Sequence, residues 1–333
     1  MRFGLTPTKD ALGSILAHSM TLPKGRLRKG CTLTQTDLDA LMRLGHSEIT
    51  VAQLGAGDVH EDRAATRLAN ALMQGSTGLR ATTAATGRVN LIATSAGLAR
   101  LNPGAIHALN AVNPMISLAT VPNFHQLHAG AMLGTIKMIS YAVPETDLAR
   151  ACALAESATT LAQPLGLSAT LIITQIKDGA DETKSIAAIN DRLTALDATL
   201  QQVQQIPHER ALLTAAIAQA TTDLILILTG SATSDIRDTA PSAVVAAGGK
   251  ITRFGMPVDP GNLLFLAKLN DRPVIGLPGC ARAPALNGAD IVLSRILCGI
   301  EVTNADIAQM GLGGLLKEIP TRPRPRQPKT DQS

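Results

Sequence analysis

Short apolar runs alternate with amphipathic stretches along most of the chain. In the first part, ALGSILAHSM (11–20) predicts a strand and turn, and TDLDALMRLG (36–45) predicts a helix whose Thr36 and Asp39 stand at capping-box spacing. EITVAQL (48–54) is expected as a strand and HEDRAATRLANALMQG (60–75) as a second amphipathic helix. Between 88 and 143, RVNLIATSAGL, MISLATVP and TIKMISYAV are β-like runs separated by Gly and Pro. They predict a small β-rich subdomain inserted into an N-terminal mixed α/β region spanning 1–160.

From about residue 165 the rhythm becomes regular. SATLIITQI and DLILILTG are apolar strands; DETKSIAAINDRLTALDATL and HERALLTAAIAQATT between them read as helices. A helix at TAPSAVVAAGG, a hairpin at LLFLAKL-ND-RPVIGLPG and a helix at GADIVLSRILCG follow. Fully apolar strands separated by helices predict an α/β fold, a doubly wound sheet covered on both faces over 165–300. The proline-rich, polar stretch 318–333 is expected to be a disordered basic tail.

Composition narrows the functional classes. Aromatic residues make up 2% of the 333 residues, with one Tyr and no Trp, so the stacking surface on which single-stranded nucleic acid or sugar rings rest is missing. The formal charge of +4 comes from basic ends flanking an acidic body: Arg2, Lys9, Lys24, Arg26, Arg28 and Lys29 at one, and Lys317, Arg322, Arg324, Arg326 and Lys329 at the other. That is not the continuous basic stripe of a nucleic-acid binder, so no nucleic-acid partner is expected. Cys31, Cys152, Cys280 and Cys298 form no paired motif, which fits reduced thiols in a cytoplasmic protein. No apolar run approaches a membrane span, so no membrane partner is expected either.

In an open α/β sheet, ligands gather beyond the carboxyl ends of the strands. After DLILIL the chain reads Thr229, Gly230, Ser231, Ala232, Thr233, Ser234, Asp235, Ile236, Arg237, Asp238, then enters a helix. Small residues and hydroxyls before a helix N-terminus suit a phosphate. Asp235 and Asp238 suit it only with a divalent cation such as Mg²⁺ between carboxylate and phosphate; otherwise Asp238 is a helix N-cap. A second loop, Gly276, Leu277, Pro278, Gly279, Cys280, and a third segment, Asp259, Pro260, Gly261, Asn262, are candidates to face the same crevice. Three weaker candidates stand beside these. His125 and His128 have the spacing of two ligands on a helical face, Gly55-Ala56-Gly57-Asp58 has part of a nucleotide-loop pattern, and Cys280 would be activated by a helix N-terminus.

The succession of Thr229-Gly230 to Asp238, Pro260-Gly261-Asn262-Leu263-Leu264 and Gly276-Leu277-Pro278-Gly279 resembles the molybdopterin-binding (MoaB/Mog-like) domain. That domain is shared by MogA-type adenylyltransferases and MoeA-type molybdotransferases of molybdenum-cofactor synthesis. Asp238-Thr239-Ala240-Pro241 is similar to the Mog-type D-x-T-P. DALGSILAHSM, the Lys29-Gly30 turn and TQTDLDALMRLGHSEITV resemble the MoeA-type N-terminal layout. The likeness covers roughly residues 8–300, densely after 220, and GMPVDPGNLL with VIGLPGCAR also looks like molybdopterin-binding halves fused to cofactor nucleotidyltransferases.

The resemblance implies a Mog-like domain at 165–300 behind a MoeA-like region. It further implies molybdopterin or adenylylated molybdopterin as ligand, molybdate as co-substrate, Mg²⁺ as cofactor, and room for self-association. Thr229, Gly230, Ser231, Thr233, Ser234, Pro260, Gly261, Asn262, Gly276, Pro278 and Gly279 would bind the ligand, with Asp235 and Asp238 as metal-holding catalytic carboxylates. The chain departs from the pattern at Ser231 (for Gly), Asp259 (for Lys), Cys280 (for Asn) and Ala283 (for Ser). Thr174-Gln175-Ile176-Lys177-Asp178-Gly179 replaces S-T-G-D-E-L, S-A-M-D-G-Y is missing, and no room follows for a MoeA-type β-domain. A molybdotransferase-like enzyme and a non-catalytic carrier or regulator working with a nucleotidyltransferase both remain open, as does, more remotely, a nucleotide-directed domain of the competence-damage family.

Overall fold

The computed structural model describes residues 1–156, 158–176 and 181–316, so the expected basic tail at 318–333 lies outside the described residues. It is a mixed α/β structure whose chain divides into two compact units, residues 1–163 and 164–333. No helix among the described residues is long and apolar enough to cross a membrane.

In the first unit, strand Glu48–Gln53 runs antiparallel to Arg2–Pro7 and Ile15–Leu16. Helix Gln35–Arg43 buries Leu38 and Leu41 in a cluster with Leu16, Leu33, Ile49 and Val51. Its capping box uses Thr34 and Asp37, two residues before the predicted Thr36 and Asp39. Both pairs have the required spacing. The earlier register wins because it places Leu33 just before the cap and Leu38 at the fourth helical position, an apolar pair that packs across the helix entrance.

A four-stranded antiparallel sheet follows, in the order Ile116–Thr120, Met132–Met138, Arg88–Ala93, Leu79–Ala81, beside a three-stranded sheet built on Gly97–Leu101. Two helices, Pro103–Val112 and Glu145–Ala155, go beyond the elements read from the sequence. Pro103 occupies the first turn of the former, and the Asn102 side chain accepts the Ala105 N–H at 3.1 Å. The strands between 88 and 143 share one core with helices on either side, since Leu91, Leu118 and Ile136 pack in the cluster that holds Leu68, Leu72 and Leu148.

The second unit carries strands β1 (Ser168–Gln175), β2 (Thr199–Pro207), β3 (Leu224–Leu228), β4 (Lys250–Phe254), β5 (Phe265–Leu269) and β6 (Arg272–Leu277). Its helices are α1 (Thr183–Thr194), α2 (Arg210–Gln219), α3 (Thr239–Ala246), α4 (Gly288–Leu297) and α5 (Asn304–Gln309). The sheet order is β2-β1-β3-β6-β5-β4; the first four strands are parallel and β5 and β4 antiparallel. All five residues of β3 are buried, and because side chains alternate along a strand, both faces of the sheet are covered there. Asn270 and Asp271, both at positive φ, form the two-residue turn between β5 and β6 that the Asn-Asp pair predicts.

Edge strands depart from the sequence reading. DETKSIAAINDRLTALDATL is not one helix: α1 stops at Thr194, Asp197 turns the chain at φ 52°, and the chain re-enters the sheet as β2. β2 and β4 are the outer strands and remain half exposed, so neither carries the apolar run that marks β1 and β3.

Candidate functional site

Parallel pairing puts the carboxyl ends of β1, β2, β3 and β6 on one edge of the second unit's sheet. At that edge Thr174, the fully buried penultimate residue of β1, lies 2.7 Å from His208 Nδ1, just beyond β2, and accepts the Gly230 N–H from beyond β3 at 3.1 Å. A Cβ on Gly230 would stand 2.7 Å from the Thr174 carbonyl oxygen, so the turn passes β1 too closely for any larger residue.

The loop from Thr229 to Asp238 is largely closed on itself. Thr229 Oγ1 donates to the Ser231 carbonyl at 2.6 Å and lies 3.3 Å from Thr233 Oγ1, while Ser234 Oγ donates to the Ala232 carbonyl at 3.4 Å. Asp235 accepts the Arg237 N–H at 2.7 Å, and Asp238 accepts the Thr239 N–H at 2.7 Å and the Ser234 N–H at 3.0 Å. Asp238 is thus the N-cap of α3. Ser231, Ser234 and Asp235 are exposed, Thr233 is buried and Asp238 is half-buried. Among the described residues no three His, Cys, Asp or Glu side chains stand together as a metal site. Both carboxylate oxygens of Asp238 are already taken by backbone amides, and Asp235 accepts one more.

The two glycines of the second loop have different functions. Gly276, inside β6, sits against the Phe265 ring, which a Cβ there would penetrate, so its small size serves the core. Gly279 begins a short 3-10 helix, Gly279–Arg282, and a Cβ on it would meet nothing within 4 Å. Pro278 precedes that turn and its carbonyl accepts the Ala281 N–H at 2.9 Å. Burial pushes the Cys280 thiol up, with Asp290 and Asp259 adding to the shift. The helix-terminus activation expected for Cys280 is therefore overridden: the thiol is held in its neutral form because burial disfavours the thiolate.

The third segment joins through α4. The Asp259–Pro260 bond is cis, the Pro260 carbonyl accepts the Gly288 N–H at 2.8 Å, and a Cβ on Gly261 would stand 2.6 Å from that same nitrogen. Asn262 is exposed, and its carbonyl accepts the Met256 N–H at 3.0 Å.

Arg282 and Glu182 are the members of this edge that sequence reasoning missed. Arg282 pairs with Glu182, reaches Ser185 Oγ at 3.4 Å and donates to the Thr229 carbonyl at 3.1 Å, tying the turn after β6 to the start of the loop after β3. Glu182 is 8% exposed. No local signal marks either residue, because the pair joins positions 100 residues apart. Thr174, named from the sequence only within a replaced signature, and His208 pair across 34 residues and likewise carry no local mark.

The weaker candidates resolve differently. His125 and His128 flank the two-residue strand Gln126–Leu127 and do not share a helical face, which removes the geometry expected of a ligand pair. Gly55 to Asp58 is a turn closed by the Asp58 carboxylate, which accepts the Gly55 N–H at 2.7 Å.

Comparison with known proteins gives limited likeness. A family described only as a domain of unknown function, DUF8806, matches residues 5–53. No curated protein matches the chain. Among solved structures, the molybdopterin biosynthesis enzyme MoaB from Thermus thermophilus is similar at 15% identity and TM-score 0.29, over 40% of this chain and 97% of that one. The molybdopterin biosynthesis MoeA protein from Pyrococcus horikoshii is similar at 13% identity and TM-score 0.32, over 90% of this chain and 75% of that one. Scores of this size do not establish a shared overall fold.

Proposed function

We propose that this chain binds molybdopterin or its adenylylated form, in molybdenum-cofactor synthesis, at the carboxyl edge of its second unit, read as a Mog-like doubly wound domain. The observation that carries the reading is the meeting of Arg282 with Thr229. It draws together the Thr229–Asp238 and Gly276–Cys280 loops, the two motifs richest in resemblance to molybdopterin-binding domains. The exposed Ser231 hydroxyl would donate to a ligand phosphate, as would Ser234 once its long bond to the Ala232 carbonyl is given up, and the turn at Gly279 leaves open space. Asp238 and Asp235 would hold Mg²⁺, which supplies charge neutralisation at the phosphoryl group. Pro260, Gly261 and Asn262 would border the same ligand from the turn before β5, which meets the start of α4.

Binding without turnover is the second reading, favoured by the departures at Ser231, Asp259 and Cys280, because catalysis needs groups aimed at the transition state and binding does not. One experiment separates the two. Purified protein is incubated with adenylylated molybdopterin, Mg²⁺ and molybdate while nucleotide release is followed. Retention of the pterin with no release, relieved by adding a cofactor nucleotidyltransferase, supports the carrier. Multiple turnovers by the isolated chain support the enzyme, and absence of pterin binding by calorimetry overturns both.

A further inference from the structure

A pocket of about 430 Å³ is built entirely from residues of the first unit. Its size lies in the usual range for small-molecule sites, roughly 300–1,000 Å³. Separate segments form it: Lys29 from the turn that follows Arg26–Leu27, Glu61 from the first position of helix Glu61–Met73, Thr86 from a turn, and Lys137 and Tyr141 from the end of Met132–Met138 and the residues after it.

The walls are fixed from several directions. The Tyr141 hydroxyl donates to the Ala17 carbonyl at 3.0 Å, its ring stacks on Phe3 at 6.3 Å between centroids, and its own carbonyl accepts the Glu61 N–H at 2.9 Å. Lys137 Nζ donates to the Thr86 carbonyl, which holds the ammonium in place. Lys29 Nζ lies 5.7 Å from the centre of the Tyr141 ring.

Glu61 is the odd member. Its side chain is 9% exposed and its nearest cationic partner, Lys137, stands 3.8 Å away, beyond hydrogen-bond reach. No protein hydrogen bond reaches the carboxylate among the described residues, and its oxygens are not sealed from solvent, so the donor they lack can come only from the pocket. The pocket therefore presents two ammonium groups and a carboxylate that no protein group donates to. A small phosphate ester would answer all three, its anion near the lysines and its hydroxyl donating to Glu61.

We propose that this pocket binds a hydroxyl-bearing phosphomonoester of sugar-phosphate size. The site is independent of the molybdopterin reading and of the second unit's loops. Tyr141 is the chain's one tyrosine and there is no tryptophan, so intrinsic tyrosine fluorescence reports on this pocket alone. The test is a fluorescence titration with ribose 5-phosphate, with ribose and inorganic phosphate as separate arms. The expected result is a saturable change with ribose 5-phosphate, none with ribose, and weaker binding of phosphate alone.

Lys137→Met should weaken binding of ribose 5-phosphate by about tenfold or more, the loss of one charge-assisted hydrogen bond, and Lys29→Met should act in the same direction. Lys29 is exposed, so its variant tests the proposal even if Lys137→Met fails to fold. Asp238→Asn should leave this titration unchanged, whatever it does to pterin binding. The proposal is overturned if wild-type protein shows no saturable change, if both lysine variants bind as wild type does, or if phosphate alone binds as tightly as the ester.

Discussion

The carboxyl edge of the second unit and the pocket of the first unit solve opposite problems with polar groups. At the edge, the loop from Thr229 to Asp238 satisfies itself: Asp238 takes two backbone amides that an anion would otherwise use. In the pocket, the Glu61 carboxylate has no protein hydrogen bond among the described residues, its oxygens stay within reach of solvent, and two lysines line the same cavity. A self-satisfied loop admits an anion only when a cation or a rearrangement changes its balance of charge, whereas an unsatisfied pocket is already complementary to a ligand. Ligand binding at the edge should therefore depend on Mg²⁺, and binding in the pocket should not.

The largest effect is expected at Arg282, where Arg282→Met leaves Glu182 buried without its partner. Breaking a fully buried pair costs roughly 3–5 kcal/mol, and because Arg282 retains partial exposure the lower end or slightly less, about 2–3 kcal/mol, is expected in urea unfolding. Adding Glu182→Gln should recover much of that stability without restoring pterin binding. No recovery would show that the Thr229 and Ser185 contacts carry the loss instead.

Gly276→Ala should cost about 1–3 kcal/mol, because the added methyl must displace the Phe265 ring in a closed core. Gly279→Val sharpens the contrast, since its side chain enters open space: binding should fall while the unfolding midpoint stays within the small range usual for surface changes. Wild-type affinity in that variant would remove the turn after β6 from the site.

Asp238→Asn retains a capping side chain, so about 1 kcal/mol or less of stability should be lost, while Mg²⁺-dependent ligand affinity falls. Calorimetry with and without EDTA checks it; equal affinities in all four combinations would leave Asp238 as a cap and nothing more.

The smallest effect concerns Glu61, whose carboxyl burial pushes up, opposed by Lys137. The folded state then binds the proton more tightly than the unfolded state does. Stability falls as pH rises from the ordinary glutamate value, 4.5, through the raised folded one, and the penalty is complete above it. Glu61→Gln should accordingly raise the melting temperature at neutral pH, and the gain should vanish below the ordinary glutamate range. A gain that persists unchanged into acid would assign the effect to packing.

β1, β3 and β6 were legible because strands buried on both faces need apolar side chains at nearly every position, and so was the Asn270-Asp271 turn, where residues tolerant of positive φ stand between two such runs. β2 was not, because an outer strand reading TLQQVQQIP satisfies its polar side chains with water and carries no periodic mark. The Pro103–Val112 helix had its cap in Asn102-Pro103, but Gly104 directly after it reads equally as a turn. Of the candidate site, the loops themselves were visible as small-residue runs after apolar strands.

The sequence by itself determined which segments are strands of a covered sheet and where small residues allow close backbone approach, because those properties follow from local side-chain volume and polarity. Tertiary structure alone decided which of those residues meet. Arg282 with Glu182 and Thr229, Gly276 with Phe265, and Lys29 with Glu61 and Lys137 are long-range encounters set by strand order and helix packing, and nothing in the residues adjoining any of them encodes its partner.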